Sequence, residues 1–145
     1  MKKIISSALI IVLSFVANSL SAQQISSNQM RIFQSDNVED FKKAFPASDL
    51  NKCLMIKTNS FDLLGLSVKF EKKNIFDYML TKTTDINRIC TDQSPLMIAA
   101  RYDKAYMANI LMQKGADKRL KNALGETAKD FAIKYQKPAL AEIVK

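Results

Sequence analysis

From residue 30 onward the apolar positions fall into short blocks that recur about every 33 residues. The clearest block runs Ser94-Pro95-Leu96-Met97-Ile98-Ala99-Ala100, continues through Ile110-Leu111-Met112 and closes on Gly115-Ala116-Asp117. Thirty-three residues after Ser94 stands Thr127, followed by Phe131-Ala132-Ile133 and later by Ile143-Val144. Thirty-two residues before it stands Asp62, followed by Leu63-Leu64-Gly65-Leu66-Ser67-Val68, then Tyr78-Met79-Leu80 and Thr84-Asp85-Ile86-Asn87. Val38, Phe41 and Phe45 mark a fainter first copy, in which Asp49-Leu50-Asn51 matches Asp85-Ile86-Asn87. A fixed period of this length indicates stacked units and governs how the individual elements are read.

Each block reads as a pair of helices followed by an extended finger. Ser94 can cap free N–H groups while Pro95 fits the first helical turn. Leu96, Ala99 and Ala100 offer small and apolar faces for close helix approach, and Ile110, Leu111 and Met112 fill the layer between units. Gly115 suits the left-handed end of the second helix, with Lys114 favourably placed against its dipole. The pattern predicts helices over 37–45, 63–71, 73–82, 95–102, 104–114, 128–135 and 137–144. Residues 23–29 (Gln-Gln-Ile-Ser-Ser-Asn-Gln) read as a flexible leader.

The block at 94–117 resembles the ankyrin repeat, whose pattern runs T-P-L-H-x-A-A, then L-L-L, then G-A-D. Met97 stands where that family usually has His, and Asp103 where it usually has Gly between the helices. The resemblance covers roughly residues 30–145 and implies an all-α, ankyrin-type solenoid of about four helix-turn-helix repeats with short finger loops. The repeats would span about 30–60, 61–92, 93–125 and 126–145. One such unit cannot bury its apolar face alone, so stability would come from stacking, with the irregular end copies as caps.

Residues 1–22 follow another rule. Lys2 and Lys3 precede fourteen uncharged residues, Ile4 to Ala17, and small residues cluster at Ser19, Ser21 and Ala22. This is the tripartite pattern of a secretory signal, too short an apolar run for an ordinary membrane span. Cleavage is expected after Ala22, with Ser21 as the close alternative. The expected destination is the bacterial periplasm or the medium, with no stable membrane insertion after cleavage.

Composition narrows the chemistry. There is no His among the 145 residues, which excludes His-based nucleophile systems, His metal ligands and a His general base. Three glycines leave no phosphate-cradling loop. The carboxylates Asp62, Asp92, Asp103, Asp117, Glu126 and Asp130 are spread over turns and helix starts, where capping explains them. We therefore expect no enzyme, no cofactor and no metal. The 22 Lys and Arg against 14 Asp and Glu give +8; two of the cations and none of the acids lie in residues 1–22, which leaves +6 after export. Positive charge raises nucleic acid as a ligand, but export and the lack of a reading motif argue against it. A protein with an acidic surface fits the compartment better, and the chain is expected to be monomeric.

In ankyrin-like stacks the partner usually meets the finger tips and the concave face of the first helices. The resemblance places Lys69-Phe70, Arg101-Tyr102 and Lys134-Tyr135 there, as a column of cations beside a column of rings. Aromatic and Arg side chains dominate interface energetics, and positive charge steers acidic partners. A structural reading stands beside this one: the rings can simply cover the helix junctions. Arg119 and Lys121, in Lys118-Arg119-Leu120-Lys121-Asn122, are candidate finger contacts or a solvated tip. Lys72-Lys73 is expected in an exposed turn, and Met55 and Phe61 as exposed apolar contacts or as packing against the cap.

Cys53 and Cys90 both fall in fingers. They form a disulfide, remain half-buried thiols, or act in redox chemistry. A bridge would close about 36 residues and contribute roughly 4 kcal/mol. Fingers of unequal length, however, are expected to hold the two Cα atoms beyond the ~7 Å bridging limit. The role implied is a non-catalytic interaction scaffold of the envelope. By analogy with small exported ankyrin proteins it would neutralise a toxin as an immunity protein, or support an envelope or oxidative-stress enzyme. An enzyme or small-ligand-binding domain is the competing class.

Overall fold

A computed structural model of the chain describes residues 23–145. The expected secretory segment, residues 1–22, lies outside the described residues. Eight helices and one two-stranded hairpin make up the described part: α1 (Ser27–Gln34), α2 (Val38–Ala44), β1 (Leu54–Ile56), β2 (Asn59–Phe61), α3 (Leu63–Lys69), α4 (Lys73–Lys82), α5 (Pro95–Arg101), α6 (Ala105–Gln113), α7 (Ala128–Lys134) and α8 (Pro138–Ile143). The seven helices expected from the pattern are all present, each within two residues of its expected ends. Among the described residues no helix is long and apolar enough to cross a membrane.

Local chemistry explains where the helices begin. Ser94 Oγ accepts from Met97 N at 3.3 Å, and Met97 Sδ accepts from Ser94 N at 3.4 Å. Thr127 and Asp130 close the same reciprocal box on α7, with Asp130 Oδ2 accepting from Thr127 N at 2.7 Å. Asp62 caps α3 by accepting from Gly65 N at 2.7 Å.

The helix ends are equally regular. Lys72 N, Lys104 N and Lys137 N donate to the carbonyls of Ser67, Ala99 and Ala132, at 2.9, 2.9 and 2.7 Å. Glu71, Asp103 and Gln136 sit between them at φ 53°, 59° and 58°. This is the Schellman arrangement, with a non-glycine residue in the left-handed position that glycine normally takes. Asp36 repeats the conformation (φ 56°) after α1. Turn residues also tie one pair to the next. Asp36 accepts from Ile75 N at 3.0 Å, Glu71 pairs with Lys104 at 2.7 Å, and Asp103 lies 3.9 Å from Lys137.

Helices α3, α5 and α7 pack side by side in chain order, and each also packs against the helix that follows it. Leu64, Val68, Leu96, Ala99, Ala100 and Ala132 are all essentially unexposed at this joint. The approach of α3 and α5 is close enough that a Cβ on Gly65 would meet Ile98 Cδ1 at 2.7 Å and Asp62 Oδ1 at 2.8 Å. The first helix pair is built differently, around Phe33, Phe41 and Phe45, with the rings of Phe41 and Phe45 stacked at 4.7 Å.

Three expectations are corrected. The fold is mostly helical but not all-α: Leu54 pairs with Phe61 and Ile56 with Asn59 across the hairpin, both Leu54 and Phe61 being buried. Residues 23–29 are not a loose leader. Ile25 N donates to Met55 O and Met55 N to Gln23 O, each at 3.0 Å, so the segment runs beside β1. From Ser27 it is helical, held by the Ser26–Gln29 capping box. Finally, the two fingers do meet. Cys53 and Cys90 are disulfide-bonded with Cα atoms 5.6 Å apart. The hairpin runs beside the second finger, where Ser60 N donates to Thr91 Oγ1 at 2.9 Å.

Candidate functional site

Lys69, Arg101 and Lys134 are the last residues of α3, α5 and α7; Phe70, Tyr102 and Tyr135 are their C-caps. A cation in the last turn faces the negative end of its helix, which explains it locally. Side-by-side packing of the three helices brings these ends together. Lys69 Nζ lies 4.5 Å from the centroid of the Phe61 ring, 5.4 Å from Tyr102 and 5.5 Å from Phe70. Arg101 Cζ lies 5.3 Å from Tyr102 and 4.6 Å from Tyr135. Rings and cations therefore alternate: Phe61, Lys69, Tyr102, Arg101, Tyr135. Each stacking contact contributes about 0.5–1 kcal/mol where exposed and more where desolvated.

The third cation differs. Lys134 stands 5.6 Å over Phe131 but pairs with Glu126 Oε1 at 2.9 Å. Glu126 immediately precedes the cap of α7, and the same position before α3 and α5 holds Phe61 and Gln93. Phe61 gives Lys69 a ring, Glu126 gives Lys134 a charge, and Gln93 gives Arg101 neither. Gln93 Nε2 donates to Asp92 Oδ1 at 3.0 Å, and its buried Oε1 has no partner among the described residues.

Elsewhere among the half-buried cations Arg88 also lacks an ion pair and a side-chain hydrogen bond among the described residues, while the others are matched. The half-buried Lys104 and Lys137 have acids, and half-buried Lys72 donates to Gln34 O at 2.8 Å, unlike the free turn expected for it. Lys73 is exposed, with Nζ 5.5 Å over the ring of Tyr106. Half-buried Lys69 and Arg101 have neither an acid nor a hydrogen-bond partner among the described residues. The turn edge has a recess of about 380 Å³ lined by Asp36, Glu39, Asn74 and Asp77, but Asp36 is committed to the start of α4.

Arg119 and Lys121 are exposed on the finger after α6, Arg119 Nε lying 3.7 Å from Asp117 Oδ1. Arg119 and Lys118 line a shallow recess of about 440 Å³ with Met112 and Ala116. Neither Arg119 nor Lys121 has an ion pair, hydrogen bond or ring contact with the ladder among the described residues; the finger reaches it only through Asn122, whose Nδ2 donates to Glu126 Oε2 at 3.0 Å. Phe61 is packed, not an exposed contact, and Met55 is half-buried between β2 and residues 23–25.

One group passed unnoticed in the sequence as anything but a cap. Burial pushes the Asp62 carboxyl up to about 6, against the lowering pull of Gly65 N–H and Arg88, with Asp85 adding to the rise. Asp130, the acid of the α7 capping box, is instead held below the usual carboxylate range by the Thr127 N–H and hydroxyl. Leucines at 63, 64 and 66 around Asp62 were the available signal for that difference.

No protein-family model matches the chain, and no curated protein matches its sequence.

Proposed function

We propose that the chain is a short ankyrin-like stack that binds another protein without chemically altering it, the inner-helix ends forming the contact face. The observation that carries this reading is the alternating ladder of Phe61, Lys69, Tyr102, Arg101 and Tyr135, in which two cations are held in place yet not neutralised. Such residues are the ones that concentrate binding energy at protein interfaces. Support for the stack comes from translation. Caps at Asp62, Ser94 and Thr127 recur at intervals of 32 and 33, as do the left-handed turns at Glu71, Asp103 and Gln136. The Met97 thioether does at the start of α5 what a side-chain acceptor does in the matching boxes.

The partner has an acidic surface and meets the protein in the envelope. The signal-like pattern of residues 1–22 favours export, and a Cys53–Cys90 disulfide fits an oxidising compartment. A delivered toxin and an envelope or oxidative-stress enzyme are both occupants of the required kind. The test is capture from envelope extract with the native protein and with Arg101→Ala/Tyr102→Ala. A partner that binds the native chain and loses at least about tenfold in affinity to the double variant, at nearly unchanged Tm, supports the reading. Equal affinity for both removes the ladder from the contact face.

A further inference from the structure

One position in each unit decides what the cation at the end of its inner helix meets. It lies eight residues before that cation in all three units: Phe61 and Lys69, Gln93 and Arg101, Glu126 and Lys134. In the two flanking units the side chains touch, Lys69 Nζ lying 4.5 Å from the Phe61 ring centroid and Lys134 Nζ 2.9 Å from Glu126 Oε1. In the middle unit Gln93 is buried and donates its amide N–H to Asp92 Oδ1 at 3.0 Å, with no hydrogen bond to Arg101 among the described residues. The acids near this part of the ladder act on the third rung: Glu126 most, and Asp92 less, hold the Lys134 ammonium above the ordinary lysine value.

Arg101 is therefore held by rings alone. Its Cζ stands 4.6 Å over the Tyr135 ring and 5.3 Å over that of Tyr102. Rings attract the charge but supply no lone pair to the five N–H donors of a guanidinium. Arg101 is half-buried, and those donors have no acceptor among the described residues. The other unpaired half-buried cations are placed differently. Lys69 Nζ lies over three rings, one of them the Phe61 ring at the deciding position. Arg88 lies close enough to the buried Asp62 carboxyl to oppose its rise.

We propose that Arg101 is the anchor of the contact face, and that a single carboxylate of the partner protein docks on its guanidinium as Glu126 docks on Lys134 one unit further on. This rests on the protein-binding reading above and adds the chemistry and the point of attachment. A planar guanidinium presents two parallel N–H groups to one carboxylate, which an ammonium cannot do. The arginine at this rung, and not its charge alone, thus sets the preference. Gln93 keeps the site open, because an acid at its position would fill it from within the chain.

The experiment follows the arginine Nε–H signals of the isotope-labelled full chain by NMR while three probes are titrated at constant ionic strength. N-acetylglutamate α-amide carries a side-chain carboxylate, N-acetylalanine a C-terminal one, and N-acetylglutamine α-amide none. The Arg101 signal should move saturably with at least one carboxylate probe, with an initial slope about threefold or more that of the exposed Arg119, and not with the uncharged one. The carboxylate probe with the larger slope identifies the source, side chain or chain end. In Gln93→Glu the signal should start at the carboxylate-shifted position and respond at least about threefold less. Arg101→Lys, which keeps the charge, should weaken partner capture about tenfold. If Gln93→Glu does not fold, the titration and Arg101→Lys decide. Equal slopes at Arg101 and Arg119, an equal response to the uncharged probe, or a full response in folded Gln93→Glu would overturn the inference. A partner that needs Arg101 and Tyr102 but tolerates Arg101→Lys leaves the contact face standing and removes the carboxylate anchor; a partner indifferent to the double variant removes the face itself.

Discussion

The third helix pair and the first solve one packing problem by different means. The α5–α6 pair has a neighbour on each side, and its helix α5, which packs on both, carries Ala99 and Ala100, both fully buried. Small side chains and reciprocal caps fix the spacing there. The α1–α2 pair has a described neighbour on one side only. It fills its interior with Phe33, Phe41 and Phe45, reaches the second unit through the Phe33–Phe70 and Phe41–Tyr78 ring contacts, and is followed by a hairpin bonded covalently to the next finger. Internal units depend on close approach, whereas the end unit depends on bulk and a cross-link.

Five variants would break or sharpen that contrast. Phe41→Ala should cost about 3–5 kcal/mol, because a stacked, fully buried ring leaves a cavity that its neighbours cannot refill. Urea unfolding would read the loss, and hydrogen exchange should show it first in α1 and α2. Cys53→Ser with Cys90→Ser should cost about 2–4 kcal/mol, with protection falling in β1, β2 and residues 23–25 before α5 and α6. Uniform loss across the chain would mean that the ends and the middle are one cooperative unit.

Ala99→Leu tests the opposite mechanism. Extra methylenes between α3, α5 and α7 should cost about 1–3 kcal/mol by overpacking, visible as a lower urea midpoint. A neutral result would mean that spacing between units is loose.

The smallest effect concerns two carboxylates at helix starts, the cap Asp62 and the capping-box acid Asp130. Asp62 titrates near 6 in the folded chain against an ordinary 3.8, so the folded state holds its proton more tightly than the unfolded state. Its contribution to stability is fully present below pH 3.8 and is lost as pH rises through 6. Asp62→Asn keeps a capping oxygen without the buried charge. It should match the native chain near the acid end of that window and exceed it by about 1–3 kcal/mol at neutral pH. The equivalent change at Asp130, whose carboxyl is shifted down, should show the reverse trend with pH. Parallel pH profiles for the two variants would contradict the burial of Asp62.

The same contrast decides what could be read from the chain. Units with neighbours repeat their caps and small residues, so the bounds of α3 to α8 and the pairing of cations with C-cap rings were legible at a period near 33. The first unit breaks that period. Helix α1 has only a partial apolar stripe, although Ser26-x-x-Gln29 carried a capping-box signal. The hairpin hides within a stretch whose length suggested a simple finger, and it is the hairpin that brings Cys53 to Cys90. In the ladder, the ring Phe61 and the neutralising Glu126 occupy one repeat position with different chemistry, so comparing like residues at like positions missed both.

The most direct test of the proposed binding face is site-specific photo-cross-linking in cells, with benzoylphenylalanine in place of Tyr102 in one variant and of the exposed Asn109 on α6 in another. The account predicts a discrete partner cross-linked from position 102 and none from position 109. A partner captured from 109 alone, or from neither position, would contradict it.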